Sequence, residues 1–156
     1  MITRIKQAVK SVFSYESSPE KVAFATSVAV YIAFSPFCGL HMIMSVISGI
    51  FLRLNVPLLL SLGWVINNPL TMVPIYTSGY FFGHWLLHWH MGISVVDINP
   101  TWMAPLNTFL HSYIGLTDVS FWAWLIGGNI LGILLAFIAY PVMHKIMISS
   151  AQQSVF

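Results

Sequence analysis

Apolar positions recur along this chain with changing period and run length, and the run lengths carry most of the information. In residues 2–13, Ile2, Ile5, Val9, Val12 and Phe13 share one helical face, with Arg4, Lys6, Gln7 and Lys10 opposite. That pattern predicts a basic amphipathic helix lying on an anionic cytoplasmic leaflet, with a soluble helix packed on a partner as the rival. Ser18-Pro19-Glu20 reads as N-cap, first-turn proline and an acid at the positive end of a new helix. Residues 22–52 then give 31 positions without a charge. One spanning helix needs about 20 residues and two need about 40, so this run fits neither. Ser35-Pro36-Phe37-Cys38-Gly39 falls near its middle, and Arg53 and Asn55 close it. The pattern predicts a re-entrant hairpin that dips to mid-membrane and returns. A kinked spanning helix followed by a short interfacial one is the alternative.

Residues 56–90 repeat the design over 35 uncharged positions. Asn55 caps and Pro57 starts a helix, Asn67-Asn68-Pro69 breaks it, and residues 70–87 continue it, with Pro74 as a candidate kink. Residues 91–118 are more polar. Within them Trp102, Leu106, Phe109, Leu110 and Tyr113 share one face, which predicts a short interfacial helix. Residues 119–143 read as a plain spanning helix with Gly128 and Gly132 four apart. The two broken units match in architecture rather than in sequence, a weak sign of an internal repeat. The expected fold is therefore all-α: a small polytopic membrane protein with two broken or re-entrant helical hairpins, breaks near 35–39 and 67–69, an interfacial N-terminal helix and a C-terminal transmembrane helix. The expected organisation is an amphipathic segment over 1–17, one membrane domain over 18–148 and a tail over 149–156.

Composition sharpens the choice of solvent. Of 156 residues, 58% are hydrophobic and 6% are charged, with a mean hydropathy of +0.83. A soluble domain carries about 25% charged residues, and one this small cannot hide so much apolar surface from water. That excludes a cytosolic enzyme, a nucleic-acid binder and a disordered tail. Charge placement adds orientation. Arg4, Lys6, Lys10 and Lys21 precede the first apolar run and Lys145 follows the last, whereas Asp97 and Asp118 bracket a loop without Lys or Arg. Both termini are therefore expected on the cytoplasmic side of a multi-pass inner-membrane protein. The single cysteine, Cys38, permits no internal disulfide and reads as a small buried hydrophobe. Phe37 before it argues against lipidation, and no cleavable signal peptide is expected.

Chemistry is expected where the helices break. Irregular backbone at membrane depth persists only when buried in protein or lining a wet cavity. Gly39-Leu40-His41 and Asn68-Pro69 each open a half-helix, and two N-termini meeting near the midplane would favour an anion. Ser35, His41, Asn67, Asn68 and Thr71 are the candidate ligand-binding side chains, with Pro36, Gly39, Asn55, Pro57 and Pro69 as break and cap residues. The plainer account is that the asparagines only cap their own helices. Arg53 is either a snorkelling arginine or a clamp for a lipid phosphate, since its planar fork suits phosphate.

His84 and His88 share a helical face as metal ligands do, yet Trp85 and Trp89 beside them read as an aromatic belt, so they are weak metal candidates. Cys38 and His41 are weaker still. Gly79-x-x-x-Gly83 and Gly128-x-x-x-Gly132 let helix backbones approach, within the chain or between protomers. No nucleophile–base pair, paired carboxylates or Gly-rich phosphate loop appears, so neither catalysis nor a cofactor is expected.

Read together, Ser18-Pro19, Pro36-Phe37-Cys38-Gly39-Leu40-His41, Arg53-Leu54-Asn55-Val56-Pro57 and Asn68-Pro69-Leu70-Thr71 resemble a bacterial membrane family catalogued as domain of unknown function 2062. The resemblance covers residues 18–90, and the family's C-terminal helix matches the last apolar run. It implies a small inner-membrane protein or module, joined in some bacteria to a glycosyltransferase-like domain, which is not expected within these residues. It assigns no catalytic residues. Pro36, Gly39, His41, Arg53, Asn55, Pro57, Asn68, Pro69 and Thr71 fill its motifs, and these are the break and boundary residues already singled out. The expected function is a carrier-like binder of an anionic lipid or small anion at the broken-helix site. A non-transporting scaffold for a cell-envelope enzyme of the glycosyltransferase type is the alternative. The expected partners are membrane lipids and a second copy or an envelope enzyme, with no nucleic acid.

Overall fold

The computed structural model describes residues 18–37, 39–90, 99–114 and 119–153. The N-terminal amphipathic segment, Cys38, Asp97 and Asp118 lie outside these residues. All regular structure among the described residues is helical. In chain order the α-helices are α1 (Pro19–Phe34), α2 (His41–Phe51), α3 (Val56–Ile66), α4 (Pro69–Trp85), α5 (Ala104–Ile114) and α6 (Phe121–Gln153). A π-helical turn, Leu86–His90, follows α4, and a 3-10 turn, Thr101–Met103, leads into α5.

Local chemistry explains the boundaries. Asn55 Oδ1 accepts the Leu58 N–H at 3.0 Å, the N-cap bond that starts α3 with Pro57 in its first turn. Asn68 builds a full capping box on α4: its Oδ1 accepts from Leu70 and Thr71, and Thr71 Oγ1 accepts the Asn68 N–H at 3.0 Å. Ser18 occupies the N-cap of α1, but its side chain makes no capping bond there. At the end of α2 the Leu54 N–H reaches back to the Gly49 carbonyl and the Arg53 N–H to Ile50, the paired bonds of a Schellman ending. That motif needs a left-handed residue at its turn, and Arg53 supplies it at φ 54°.

Helix α6 is the spine. Helix α1 packs along it, α4 packs on its N-terminal half, and α2 and α3 form a hairpin against α1. Glycines set the closest approaches. A Cβ on Gly79 would lie 3.1 Å from Gly128 Cα, one on Gly83 would overlap the Ala123 carbonyl oxygen, and one on Gly128 would lie 2.8 Å from the Phe34 carbonyl oxygen. Both glycine stripes are therefore used inside the chain, and the α6 stripe receives α4 and the end of α1 together. The alanines of α1 do the same on a smaller scale: Ala23, Ala25, Ala29 and Ala33 are all buried. A core of Val22, Ala25, Ala29, Leu54, Leu58 and Leu59 fills the space between α1 and α3, closed by Met143 and Met147 of α6.

The last helix is longer than the apolar run. It continues past Met143 to Gln153 and holds Pro141 in its interior. The apolar run stops at His144 and Lys145, whereas the backbone continues because Met147 still has core to cover. Among the described residues one helix, Phe121–Ser149, is long and apolar enough to cross a membrane, and most of it is exposed on the molecule's surface. Helices α3 and α4 are bent by 81° at the Asn67-Asn68 break, and only taken together are they long and apolar enough for a membrane crossing. Helix α1 has 16 residues, about 24 Å at 1.5 Å per residue, short of a hydrocarbon core of about 30 Å.

Candidate ligand site at the helix breaks

The two breaks come together. Gly39, His41, Met42 and Ser45 at the start of α2 face Gly63, Trp64, Asn67, Asn68 and Pro69 at the α3–α4 bend across a cleft of about 330 Å³. Gly39 turns the chain into α2 at φ 83°, a conformation that a side chain strains. Leu40 stands at the N-cap of α2 and offers no capping oxygen, so no side chain covers the first-turn N–H groups. The start of α4 is self-capped by Asn68. Two helix N-termini thus border one cleft, and one of them lacks a side-chain cap.

His41 ties the first break to α4. Its Nε2 lies 3.3 Å from the Ser35 carbonyl oxygen and 3.2 Å from Tyr76 Oη. A carbonyl only accepts, so the contact with Ser35 is a hydrogen bond donated by Nε2–H. The His41 and Tyr76 rings stack with centroids 6.3 Å apart, and Trp124 of α6 meets Tyr76 edge-on at 6.1 Å. The imidazole is held between α1, α2 and α4, with α6 behind it.

Polar capacity remains unused at this junction. Ser35 Oγ and Asn67 Oδ1 are buried without a hydrogen-bond partner. Most buried polar atoms in proteins are satisfied, and leaving one unpaired costs about 1–3 kcal/mol. Asn68 has no such surplus, because its Oδ1 takes two N–H bonds and its Nδ2 donates to the Val65 carbonyl at 3.1 Å. Thr71 is similarly engaged, donating to the Ile66 carbonyl at 2.6 Å. So Ser35, His41 and Asn67 stand at the junction with capacity left over, while Asn68 and Thr71 hold the backbone of the break.

Arg53 lies elsewhere. It sits at the far end of α2 from His41, a separation of about 16 Å for an 11-residue helix. There it shares a recess with Glu20, Lys21, Phe24 and Tyr140. His84 and His88 stack on each other with centroids 5.7 Å apart. Among the described residues no group of three His, Cys, Asp or Glu side chains is placed to hold a metal.

Tyr76, Ser45 and Gly63 are contributors that the break motifs do not point to. Tyr76 lies two turns into α4 among apolar residues, and its hydroxyl is the only local hint. Tyr31 and Asn129 form a second polar link inside apolar helices, Tyr31 Oη donating to Asn129 Oδ1 at 3.0 Å. No curated protein matches the chain, and no solved structure does. The model of the family described as "Uncharacterized protein conserved in bacteria (DUF2062)" matches residues 3–154, so the chain belongs to that bacterial family along nearly its whole length.

Proposed function

We propose that this is a multi-pass protein of the bacterial inner membrane that binds a small anion, or the anionic head group of a lipid, in the cleft where α2 and α4 begin. The observation that carries the reading is the convergence of two helix N-termini on a cleft lined by Asn67, whose Oδ1 is buried and unpartnered. Helix N-termini favour negative charge, and broken helices at membrane depth are a common way to build such a site. With Oδ1 as the free atom, Asn67 asks the ligand for a hydroxyl or another donor beside its charge.

The membrane placement is part of the same reading. Phe51, Trp64, Leu70 and Phe137 are among many large apolar side chains left exposed, which lipid covers and water does not. The four charged side chains among the described residues, Glu20, Lys21, Arg53 and Lys145, lie at one end of the molecule, beside Tyr140 and Val142 of α6. The break at Ser35-Pro36 meets α6 at Gly128. Twelve residues separate Gly128 from Tyr140, about 18 Å along the helix. With the charged end at the head groups, the cleft falls near the bilayer midplane, α1 and α2 form a re-entrant hairpin, and both termini are cytoplasmic. The alternative of an enzyme scaffold is less favoured, because the glycine stripes that would dock a partner are filled within the chain.

The test uses the full chain in phosphatidylcholine nanodiscs. Radiolabelled inorganic phosphate, and separately phosphatidylglycerol, are titrated against wild type, Asn67→Leu and His41→Phe, with a photo-crosslinking residue at position 42 to place the ligand. Binding at position 42 that weakens about tenfold in each variant supports the reading, the loss expected for one hydrogen bond to a charged group. Binding of neither probe, or variants equal to wild type, contradicts it.

A further inference from the structure

A second site lies at the charged end, apart from the cleft. Between α1 and α6 runs an apolar groove of about 370 Å³, floored by Phe24, Val28, Tyr31, Ile133 and Phe137. It opens into the recess of about 590 Å³ that holds Lys21, Arg53 and Glu20. Phe24 and Tyr140 line both, so groove and recess are continuous. From Phe24 to Tyr31 the groove covers two helical turns, about 10 Å.

We propose that this continuous site holds one anionic phospholipid, its phosphate on Lys21 and Arg53 and one acyl chain along the groove. Charge complementarity selects the occupant. Two cations and one carboxylate leave the mouth net positive. Glu20 sits in the first turn of α1, where the helix dipole already favours it. Arginine presents a planar fork that matches phosphate in two bonds, and lysine adds a point charge. Backbone conformation agrees: Arg53 is the only described non-glycine residue with positive φ, at 54°, in a helix ending that normally takes glycine. A strained arginine where glycine fits freely is retained for its side chain. The groove itself is open sideways to lipid, so an acyl chain enters without crossing a polar barrier. This inference shares with the proposed function only the membrane placement.

The test is native mass spectrometry of the full chain released from nanodiscs of phosphatidylcholine with a minor fraction of phosphatidylglycerol. One phosphatidylglycerol per chain is retained over phosphatidylcholine. Arg53→Gly keeps the turn, since glycine is the ordinary residue there, yet lowers that occupancy about tenfold, as does Lys21→Gln. Ala136 also lines the groove, and Ala136→Trp fills it and gives the same loss with both cations intact. A photo-crosslinking residue at position 137 labels the acyl chain. Equal retention of the two lipids, or unchanged retention in Arg53→Gly, overturns the proposal. So does crosslinking from position 137 to a second copy or to residues 1–17. A cleft that binds nothing at position 42 leaves the outcome at position 137 intact, so the two failures are distinguishable.

Discussion

Gly83 and Gly63 both lie inside helices, and their surroundings predict opposite outcomes for the same substitution. A Cβ on Gly83 would overlap the Ala123 carbonyl and approach Gly127 Cα to 2.9 Å, backbone that cannot step aside. Gly83→Ala is therefore expected to destabilise the protein by about 1–3 kcal/mol, the range of overpacked sites. A Cβ on Gly63 meets only Ser45 Oγ, at an ordinary 3.8 Å. Gly63→Ala is expected to stabilise α3 by about 0.5–1 kcal/mol through helix propensity, while narrowing the cleft. Chemical denaturation of both variants in one detergent checks the sign of each. Asn68→Ala removes the side-chain half of the capping box, the two bonds its Oδ1 accepts, while the backbone bond to Thr71 Oγ1 stays; it is expected to cost about 1 kcal/mol, read the same way. At this scale the chain is largely readable: Asn55 and Asn68 cap as their positions before proline imply. Arg53 is the exception. Nothing local marks an arginine as left-handed, because the ending of α2 is set by Leu54 turning into the core.

Among the helices, recognition of elements outran recognition of pairings. The breaks at Ser35-Pro36 and Asn67-Asn68 are visible in the chain because proline, and asparagine ahead of it, leave a local mark. Which helix meets which glycine stripe is not visible. A spacing of four identifies a face, and the partners Gly79 and Gly128 are brought together by the fold rather than by any local pattern. The end of α6 is hidden for a related reason: Met147 is held by α1 and α3, far away in sequence. The Tyr31–Asn129 bond is the polar link between α1 and α6. In apolar surroundings such interhelical bonds contribute about 0.6 kcal/mol on average. Tyr31→Phe should lower stability by about that amount, and Tyr31→Phe combined with Asn129→Leu should recover much of it, because both polar partners are then gone. A double-mutant cycle in detergent separates this from a simple packing loss, which would add rather than cancel.

For the whole molecule, the uncharged runs of 31 and 35 residues have lengths that plain spanning helices do not explain. Charge lies at one end of the molecule, and the break at Ser35-Pro36 meets α6 about 18 Å away along that helix. Composition says nothing about depth, and the depth proposed here rests on α1 packing antiparallel to α6. The family match extends along residues 3–154, so the same geometry is expected across the family wherever these motifs recur. Depth is the claim on which the cleft, the hairpin and the orientation all depend. The direct measurement is fluorescence quenching by lipids brominated near the head group or deep in the acyl chain. The fluorophores are attached at Met42→Cys and Leu52→Cys in a Cys38→Ser background. The two positions stand at opposite ends of α2, about 15 Å apart. The account predicts that position 42 is quenched more by the deep bromines and position 52 more by the shallow ones. Shallow quenching at both positions would place α2 flat at the interface and contradict a binding site at the bilayer midplane.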